Sequence, residues 1–422
     1  MRQIADFHIH SPYSRAVSKE MTLENLDVWA QKKGINILGT GDFTHPVWFK
    51  EIQNKLKERE PGLFTLKTNK SSEATRFILT AEISSIYTKN NKGRRVHNLI
   101  FAPNLEAVKK ISTQLGWIGN IKSDGRPILG LDPKELLKIV LEVDQKCFLA
   151  PCHCWTPWFS IFGSMSGFDS IEECFEEYSK YIFAGETGLS SDPAMNWRLS
   201  SLDKIALISN SDAHSLQNLG REANVFEIKP EKLSFDEIKR IIKEKDKKKF
   251  LYTIEFFPEE GKYHYDGHRL CQVRLSPKET KKYNGICPVC GKSLTIGVMS
   301  RVEELADREE NFIPQNIIPF KSLVPLREII AESLAQGKAT KLVVEEYEKL
   351  VSKGGSEFKI LLDLSEAELL EITLPRIVEG IIKVRRKELF ILPGYDGEYG
   401  AVKIFSEGEK TEPPLAQKSL FQ

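Results

Sequence analysis

The chain opens on the stretch QIADFHIH, residues 3–10, an apolar run that ends in two histidines. Alternate residues of a β-strand face the same side, so His8 and His10 point the same way, with Asp6 behind them. Imidazole groups at the end of an apolar strand are typical of a site built on the rim of a buried sheet. The same pattern recurs further along the chain.

Short apolar runs alternate with helical patterns up to about residue 245. The strand-like runs are residues 3–10, 35–40, 77–82, 96–102, 147–151, 181–184 and 205–209. Helices that begin after an N-cap residue type are predicted at 23–33, 133–143, 170–180 and 235–245. Such alternation predicts an α/β fold with a mainly parallel sheet, and seven strands in one unit favour a closed βα barrel.

Nearly every predicted strand delivers an acidic or histidine side chain at or just beyond its end. The candidate ligands of catalytic metals are His8, His10, Asp42, His45, Glu82, His97, His153, Asp212 and His214. One histidine at a strand end is ordinarily a hydrogen-bonded surface residue, but repetition at successive strand ends indicates a metal site. Imidazole with carboxylate and without thiolate suits zinc or manganese.

Composition excludes several other classes of protein. Lys and Arg number 60 and Asp and Glu 59, so binding to a polyanion through a large overall positive charge is excluded. No apolar run reaches the roughly 18 to 20 residues of a membrane-spanning helix, and the N-terminus does not read as a signal peptide. We expect a cytoplasmic, nucleoid-associated protein whose seven cysteines serve metal binding or packing rather than disulfides.

A second metal site is predicted in the middle of the chain. Cys287 and Cys290 form a C-P-V-C-G turn, and His268 and Cys271 form an H-x2-C pair, with fifteen residues between Cys271 and Cys287. This spacing suits one closed, tetrahedral structural zinc. His264 can replace His268 as the fourth ligand, and the sequence leaves that alternative open.

Changes in pattern predict four segments. Residues 1–250 form the barrel, 251–300 a small zinc-binding module, and 301–405 a mainly helical C-terminal domain. Residues 406–422 are polar and proline-bearing and are expected to form a flexible tail.

The H-x-H pair, with Glu82, His97, His153 and the S-D-A-H of residues 211–214, resembles the PHP superfamily of metal phosphoesterases. That resemblance implies a distorted seven-stranded βα barrel with two or three catalytic divalent metals, either zinc or, as alternatives, manganese or magnesium. The implied ligand sets are His8, His10, Glu82 and Asp212 for one metal, Glu82, His97 and His153 for the second, and Asp42 and His214 for the third.

The chain departs from the superfamily pattern in two places. No histidine follows shortly after the H-x-H pair, and T-G-D-F-T-H stands where T-D-H is common. Asp42 or His45 must therefore serve in that position. Closely spaced cations lower the pKa of a shared water and neutralise charge on a phosphate, so no side-chain nucleophile is required.

Longer motifs indicate which family of the PHP superfamily the chain resembles. ADFHIHSPYSRA, GETGLSSDPAMNWRLSSLD, YHYDGHRLC with CPVCGK, GVMSRVEELADR and PGYDGEYGAVKIF resemble the endonuclease Q family over residues 3–405. The resemblance implies a DNA repair endonuclease that hydrolyses the phosphodiester on the 5′ side of deaminated bases (hypoxanthine, uracil, xanthine) and abasic sites. The alternatives are a small-molecule phosphatase, in which the zinc module has no obvious purpose, and a non-catalytic nucleic-acid-binding module.

An enzyme that reads a damaged base needs that base unstacked and held in a pocket. Aromatic and polar residues after the fifth and sixth predicted strands form the candidate base pocket: Trp155, Trp158, Phe159, Glu186, Ser190, Ser191 and Asn196. A hydrophobic lid packed on the barrel explains the aromatic residues equally well. The candidate DNA phosphate contacts are Arg94, Arg95, Arg269, Arg385 and Arg386, although such runs are more often solvated faces.

The chain ends in Q-K-S-L-F-Q, in which Gln417, Leu420 and Phe421 resemble the peptide by which bacterial proteins dock on the replicative sliding clamp. Lys418 departs from that pattern, which commonly has leucine there. Exposed apolar side chains at the end of a polar segment suit a partner's pocket. The sliding clamp is thus a predicted partner, and a tail that folds back on its own domain is the alternative.

Overall fold

A computed structural model describes residues 1–406 and 408. The strands are β1 (Arg2–Asp6), β2 (Ile37–Gly39), β3 (Leu56–Glu60), β4 (Leu63–Leu66), β5 (Arg76–Lys89), β6 (Lys92–Ala102), β7 (Ile128–Leu129), β8 (Phe148–Pro151), β9 (Ala184–Glu186), β10 (Ala206–Ile208), β11 (Ala223–Glu227), β12 (Phe250–Glu255), β13 (Asp266–His268), β14 (Val273–Leu275), β15 (Phe320–Ser322), β16 (Phe390–Leu392) and β17 (Ala401–Lys403).

The α-helices are α1 (Leu23–Lys33), α2 (Pro46–Lys55), α3 (Leu105–Ile118), α4 (Pro133–Val143), α5 (Ile171–Phe175), α6 (Pro193–Asn196), α7 (Phe235–Glu244), α8 (Pro277–Lys282), α9 (Val298–Leu305), α10 (Leu326–Ser333), α11 (Lys341–Gly354), α12 (Glu357–Leu362), α13 (Glu366–Ile372) and α14 (Pro375–Arg386). Among the described residues, no helix is long and apolar enough to cross a membrane.

The predicted α/β architecture is confirmed, with a central sheet and a helical C-terminal region. The main sheet has the order β15-β12-β11-β1-β2-β5-β4-β3, with β6 and β7 paired to β5 and β8 paired to β6. Strands β9 and β10 form a separate parallel pair. A parallel bridge between Ile9 and Ala213 joins the end of β1 to the segment after β10, which brings the first and last strands of the barrel together.

The sheet is mixed, so the expectation of a mainly parallel sheet was wrong. Strands β5 and β6 form one long antiparallel hairpin in which Lys89 pairs with Lys92. Asn90 and Asn91 at its tip have φ angles of 53° and 57°, a left-handed conformation that asparagine tolerates better than most residues and that two-residue hairpin turns require. The hairpin places His97 within β6 rather than at the start of a parallel strand.

Local capping explains where several helices begin and end. Thr22 accepts a hydrogen bond from the Asn25 backbone N–H at the start of α1, and Gly34 ends this helix with a φ of 86°. The prediction of one helix over residues 170–180 was wrong in part. Helix α5 ends at Phe175 because Glu176 has a φ of 50°, and a 3-10 helix continues to Tyr181.

The later part of the chain contains small hairpins and packed helices. Strands β13 and β14 pair antiparallel, as do β16 and β17. A bridge between Tyr265 and Tyr395 joins these two hairpins. Helices α10 to α14 bury apolar residues such as Ile329, Leu350 and Ile377 among themselves. The clamp-like peptide at the C-terminus lies outside the described residues.

Candidate metal centre

Two fully buried histidines stand at the end of β1. Phe7 and Ile9 alternate with His8 and His10 and are themselves buried in the core. The Nε2 atoms of His8 and His10 lie 3.5 and 3.3 Å from Glu82 Oε2. The end of β1 and strand β5, which carries Glu82, therefore bring these side chains to one point at the barrel mouth.

Asp212, in the segment after β10, completes this first group. Its Oδ1 lies 3.0 Å from His10 Nε2 and 3.7 Å from His8 Nε2. The ligand atoms of His8, His10, Glu82 and Asp212 all lie within 4.8 Å of one another. Nitrogen and oxygen atoms at such spacing suit a divalent cation.

Glu82 also belongs to a second group. Its Oε1 lies 2.6 Å from His97 Nδ1 and 3.2 Å from His153 Nε2. In the β5–β6 register, Ser84 pairs with His97, so the side chains of His97 and Glu82 occupy the same face of the hairpin. Each carboxylate oxygen of Glu82 thus faces one group, which is the arrangement of a bridging ligand.

The buried polar atoms at this site fit a cation. His8 Nε2 is buried and has no hydrogen-bond partner among the described residues. Burial raises the pKa of Glu82, but His97, Arg126 and His8 outweigh it and hold that pKa well below its ordinary value. Imidazole nitrogens and an ionised carboxylate without thiolate are the ligand types of zinc and manganese sites.

Glu186 lies beneath His8 rather than in the cavity where a damaged base was expected. Both Glu186 carboxylate oxygens lie 3.0 Å from His8 Nδ1. Asn210 donates to Glu186 Oε1 at 2.8 Å, and the His153 backbone N–H donates to Oε2 at 3.0 Å. A carboxylate on the far nitrogen of a ligating imidazole fixes its tautomer and direction.

Asp42 plays the same part for His10. Its Oδ1 lies 3.0 Å from His10 Nδ1, while the Ser11 backbone N–H, the Ser11 hydroxyl and the Ser14 hydroxyl donate to Oδ2 at 2.6, 2.6 and 2.8 Å. These donors and His10 lower the pKa of Asp42 in spite of burial. Asp42 is thus fully engaged in orienting its neighbours.

Among the described residues, the side chains predicted for a third metal, Asp42, His45 and His214, do not come together in one ligand set. His45 Nε2 lies 3.2 Å from the Lys122 carbonyl oxygen, and its ring stacks on Tyr13 with centroids 4.5 Å apart. His214 lies beside the first group, with its ring centroid 4.7 Å from that of His10 and its Nδ1 2.8 Å from the Asp212 carbonyl oxygen. Neither side chain joins Asp42 in a group of potential ligands.

Arg126 is a site residue that the sequence reasoning missed. Its Nη1 lies 3.1 Å from Glu82 Oε2, and Glu82 raises the pKa of Arg126. It stands in an irregular loop between α3 and β7, where no periodicity marks it. Asp6, for which the sequence predicted no role of its own, accepts from the Ser211 and Gly220 backbone N–H groups and so holds the segment that carries Asp212.

A cavity of about 710 Å³ opens above His97 and His153. Of the predicted base-pocket residues, Trp158, Phe159 and Ser190 line this cavity. Trp155 does not, because its ring is buried and its Nε1 donates to Asn196 Oδ1 at 2.8 Å. The Asn196 amide donates in turn to Ser191 Oγ at 3.1 Å. Trp155, Asn196 and Ser191 therefore form a buried hydrogen-bonded set that supports the aromatic loop after β8 and does not line the cavity.

Basic residues surround the cavity unevenly. Arg95 lines it, together with Arg15, Arg126 and, from the following module, Lys262. Arg94 is buried and donates to Glu173 of α5 at 3.1 Å, so it stabilises that segment and does not line the cavity.

The predicted phosphate contacts outside the cavity fall into two kinds. Arg269 and Arg386 are exposed to solvent. Arg385 donates to the carbonyl oxygens of Ile360, Leu361 and Leu364 at the end of α12, which identifies a capping role.

The cysteine cluster forms a group of its own. The ligand atoms of His268, Cys271, Cys287 and Cys290 lie within 4.8 Å of one another, and Cys290 Sγ is 3.6 Å from His268 Nδ1. His264 is not part of this group. It is buried against Tyr265, and burial lowers its pKa to about 4. Four protein ligands in close approach fit a closed zinc site.

Comparison with known proteins agrees with this geometry. The family model described as the MJ0043 C-terminal domain matches residues 325–388. The chain is 36% identical over 265 residues to the uncharacterised protein MJ0043 of Methanocaldococcus jannaschii, covering 62% of this chain and 32% of that protein. It therefore spans about a third of the length of MJ0043. It is 29% identical over 416 residues to the uncharacterised protein YqxK of Bacillus subtilis, covering 94% and 98% of the two chains.

Two solved structures are similar over nearly the whole chain. One is the lesion-specific endonuclease PfuEndoQ from Pyrococcus furiosus, with a TM-score of 0.85 and 33% identity over 98% of both chains. The other is endonuclease Q in complex with a 27-mer duplex that carries an abasic lesion at the active site, with a TM-score of 0.83, 33% identity and coverage of 98% and 99%.

Fold and site together define a DNA repair endonuclease with groups of candidate metal ligands at its site. The chain belongs to the endonuclease Q family, which confirms the family predicted from its sequence motifs.

Proposed function

We propose that this protein cuts DNA on the 5′ side of deaminated bases and abasic sites by metal-dependent hydrolysis of the phosphodiester. One observation carries the proposal: two ligand groups share Glu82, and His97 and His153 of the second group line a cavity of about 710 Å³ with aromatic and basic walls. The similar endonuclease Q structure holds a duplex with an abasic lesion at its active site, which supports DNA as the substrate.

His8, His10, Glu82 and Asp212 would hold one metal, and Glu82, His97 and His153 the second. The metals, zinc or alternatively manganese or magnesium, would supply an activated water and neutralise charge on the phosphate. Glu186 and Asp42 orient the two buried imidazoles. Arg126 stands at the cavity wall beside Glu82 and would bind the phosphate as it gains charge.

The damaged base would be held by the aromatic loop. Trp158 is 38% exposed and contacts Tyr263 edge to face, with ring centroids 5.7 Å apart. Phe159 lines the same cavity, and Arg95 lies over its ring. An unstacked base can stack on such rings, while Ser190 offers a hydroxyl to a base edge.

A labelled duplex with a single deoxyinosine, compared with uracil, xanthine and abasic duplexes, tests this function with and without a chelator. We expect one metal-dependent nick on the 5′ side of the lesion and none in the undamaged duplex. Hydrolysis of phosphomonoesters alone would indicate a small-molecule phosphatase instead. Binding without cleavage in the presence of zinc, manganese or magnesium would indicate a non-catalytic module.

The group of His268, Cys271, Cys287 and Cys290 would hold one structural zinc, since protein ligands fill every position. Lys262 and Tyr263 of the same module line the large cavity. The zinc would therefore support one wall of the substrate site. Metal analysis of the purified protein after removal of the weakly bound ions should leave about one zinc per chain.

The C-terminal peptide with Gln417, Leu420 and Phe421 would dock on the replicative sliding clamp, which would bring the enzyme to replicating DNA. Support comes from the peptide's resemblance to clamp-binding motifs and from the repair family of the chain. Titration of the full protein with the clamp tests it, with the double variant Leu420→Ala, Phe421→Ala as comparison. Equal affinity of the two proteins would exclude the tail as the anchor.

A further inference from the structure

A smaller cavity of about 260 Å³ lies where the barrel meets the C-terminal helices. Trp29 of α1 and Arg221, just before β11, line it on the barrel side. Arg327 of α10 and Tyr347 of α11 line it on the helical side. None of these residues belongs to either metal site or to the large cavity. Junctions between structural units are common places for small-molecule sites.

Both lysines at this cavity are already paired. Lys33 Nζ lies 2.7 Å from Glu357 Oε2, and both side chains are buried. Lys338 Nζ lies 2.7 Å from Glu328 Oε1. Glu357 and Glu328 are thus used by these lysines. Glu222 and Glu260 interact electrostatically with Arg221, but neither Arg221 nor Arg327 has an ion-pair partner within 4 Å among the described residues.

The two arginines have hydrogen-bonding capacity to spare. Arg327 Nε is buried and has no hydrogen-bond partner within residues 1–406. Arg221 uses its Nε to donate to the Ser211 carbonyl oxygen at 2.9 Å. A buried guanidinium N–H without an acceptor is costly, and two guanidinium groups on one cavity match the oxygens of a phosphate.

Aromatic rings line the same cavity. The rings of Trp29 and Tyr347 lie 22° from parallel with centroids 6.4 Å apart. The Tyr347 hydroxyl donates to Glu357 at 2.7 Å, which fixes the direction of its ring. Flat aromatic faces bind nucleobases by stacking, and Trp29 is only partly buried, so a ring in the cavity can reach it.

We propose that this cavity binds a single nucleotide, with its phosphate on Arg221 and Arg327 and its base against Trp29. The volume of about 260 Å³ excludes a duplex but suits a small phosphorylated ligand. A free nucleoside monophosphate and an unpaired nucleotide of a DNA strand offer the same chemistry. The site goes beyond the proposed endonuclease activity, because Arg327 and Trp29 lie outside both metal groups and outside the large cavity.

The choice of variant follows from the contacts. Arg221 holds the carbonyl of Ser211, which precedes the metal-site residue Asp212, so its replacement would disturb the catalytic centre as well. Arg327 makes no such contact within the described residues. Arg327→Gln is therefore the informative variant, and Arg59→Gln, an exposed arginine on β3 that donates to the Ser71 carbonyl oxygen, is the matched control.

Calorimetric titration of the full-length protein with dAMP is the first measurement. We expect saturable binding that weakens about tenfold or more in Arg327→Gln, since a charge-assisted contact is lost, and that is unchanged in Arg59→Gln. Inorganic phosphate should compete with dAMP. Quenching of tryptophan fluorescence by dAMP should diminish in Trp29→Phe, which gives a second readout if Arg327→Gln fails to fold.

A twelve-nucleotide single strand separates the two sources. If the ligand is a free nucleotide, Arg327→Gln weakens dAMP binding and leaves strand affinity unchanged. If it is a nucleotide of the strand, dAMP competes with the strand and Arg327→Gln weakens both. The proposal is overturned if wild-type protein binds neither ligand, or if Arg327→Gln and Trp29→Phe bind both as wild type does.

Discussion

At the barrel mouth, His8 and His10 are fully buried, and a carboxylate holds the far nitrogen of each ring. In the module after the barrel, Cys290 is exposed and Cys271 is half-buried, and the strands β13 and β14 on either side of Cys271 have three residues each. The first group of ligands is held in place by the protein core. The second is held by a few turns and short strands with little core of their own.

The difference predicts different uses of metal binding. Where the ligands are already oriented, little of the free energy of metal binding is offset by the cost of ordering the chain. Ligands on a small, weakly packed module become ordered together with the metal, so that the binding free energy becomes folding free energy. Metal loss should therefore abolish catalysis at the barrel site without unfolding the barrel. In the cysteine module, metal loss should cause local unfolding.

The largest effect is expected from Asp212→Ala or His8→Ala. Each variant removes a ligand from the first group, so nicking should fall by at least about a hundredfold while the melting temperature changes little. Glu106→Ala, which removes an exposed carboxylate on α3, is the control. Nicking near the wild-type rate in either variant would show that these residues do not hold the catalytic metal.

The next effect concerns the cysteine module. Cys287→Ser should release one zinc equivalent, raise hydrogen exchange around β13 and β14 and weaken DNA binding, while the barrel metals remain. Val289→Ala is the matched control because Val289 is 70% exposed in the same turn and offers no ligand atom. An unchanged zinc content in Cys287→Ser would refute the assignment of a structural zinc.

Smaller losses are expected when a group behind the ligands is changed. Glu186→Gln and Asp42→Asn should each lower metal affinity about 10- to 100-fold, since the imidazole loses the carboxylate that fixes its tautomer. Ser14→Ala removes only one of several donors to Asp42 and should cost less. Metal titrations followed by nicking rates measure the series, and equal values for all three variants would contradict the proposed ranking.

The last effect is a pH dependence of the stability of the module, which leaves the catalytic site unchanged. Burial lowers the pKa of His264 to about 4 from an ordinary value of 6.5, so the unfolded chain takes up this proton first as the pH falls. The contribution of neutral His264 to the free energy of unfolding is thus fully present above pH 6.5. It declines towards pH 4, by on the order of 2–3 kcal/mol.

Urea unfolding at several pH values, compared with His264→Gln, isolates this contribution. The variant should lose less stability between pH 6.5 and 4 than the wild-type protein. Parallel curves would mean that another group causes the decline.

Features that depend on neighbouring residues in the sequence were predictable. Residues 23–33 and 133–143 form helices with the predicted ends because Thr22, Gly34 and Asp132 cap them locally. The alternation in residues 3–10 placed His8 and His10 on one side, and the register of β5 with β6 brought Glu82 to His97. The individual ligand roles of these residues remain predictions.

Features that depend on distant residues were not predictable. Arg126 reaches Glu82 from an irregular loop, and Asn210 reaches Glu186 from the segment after the neighbouring strand β10. Glu186 itself was expected in the base pocket, because a strand end predicts proximity to the site but not which side of a histidine a carboxylate occupies. The antiparallel hairpin was missed because Asn90 and Asn91 were not recognised as a two-residue turn.

The tip of that hairpin has a practical value. Asn90 stands eight residues beyond Glu82 on a continuous two-stranded ribbon, which at about 3.3 Å per residue separates them by roughly 26 Å. Asn90 and Asn91 are both at the surface. A cysteine introduced at Asn91 would accept a fluorophore far from the active site, while zinc bound in the proposed site would protect Cys290 from labelling. Single enzyme molecules could then be followed along damaged DNA without altering the residues that cut it.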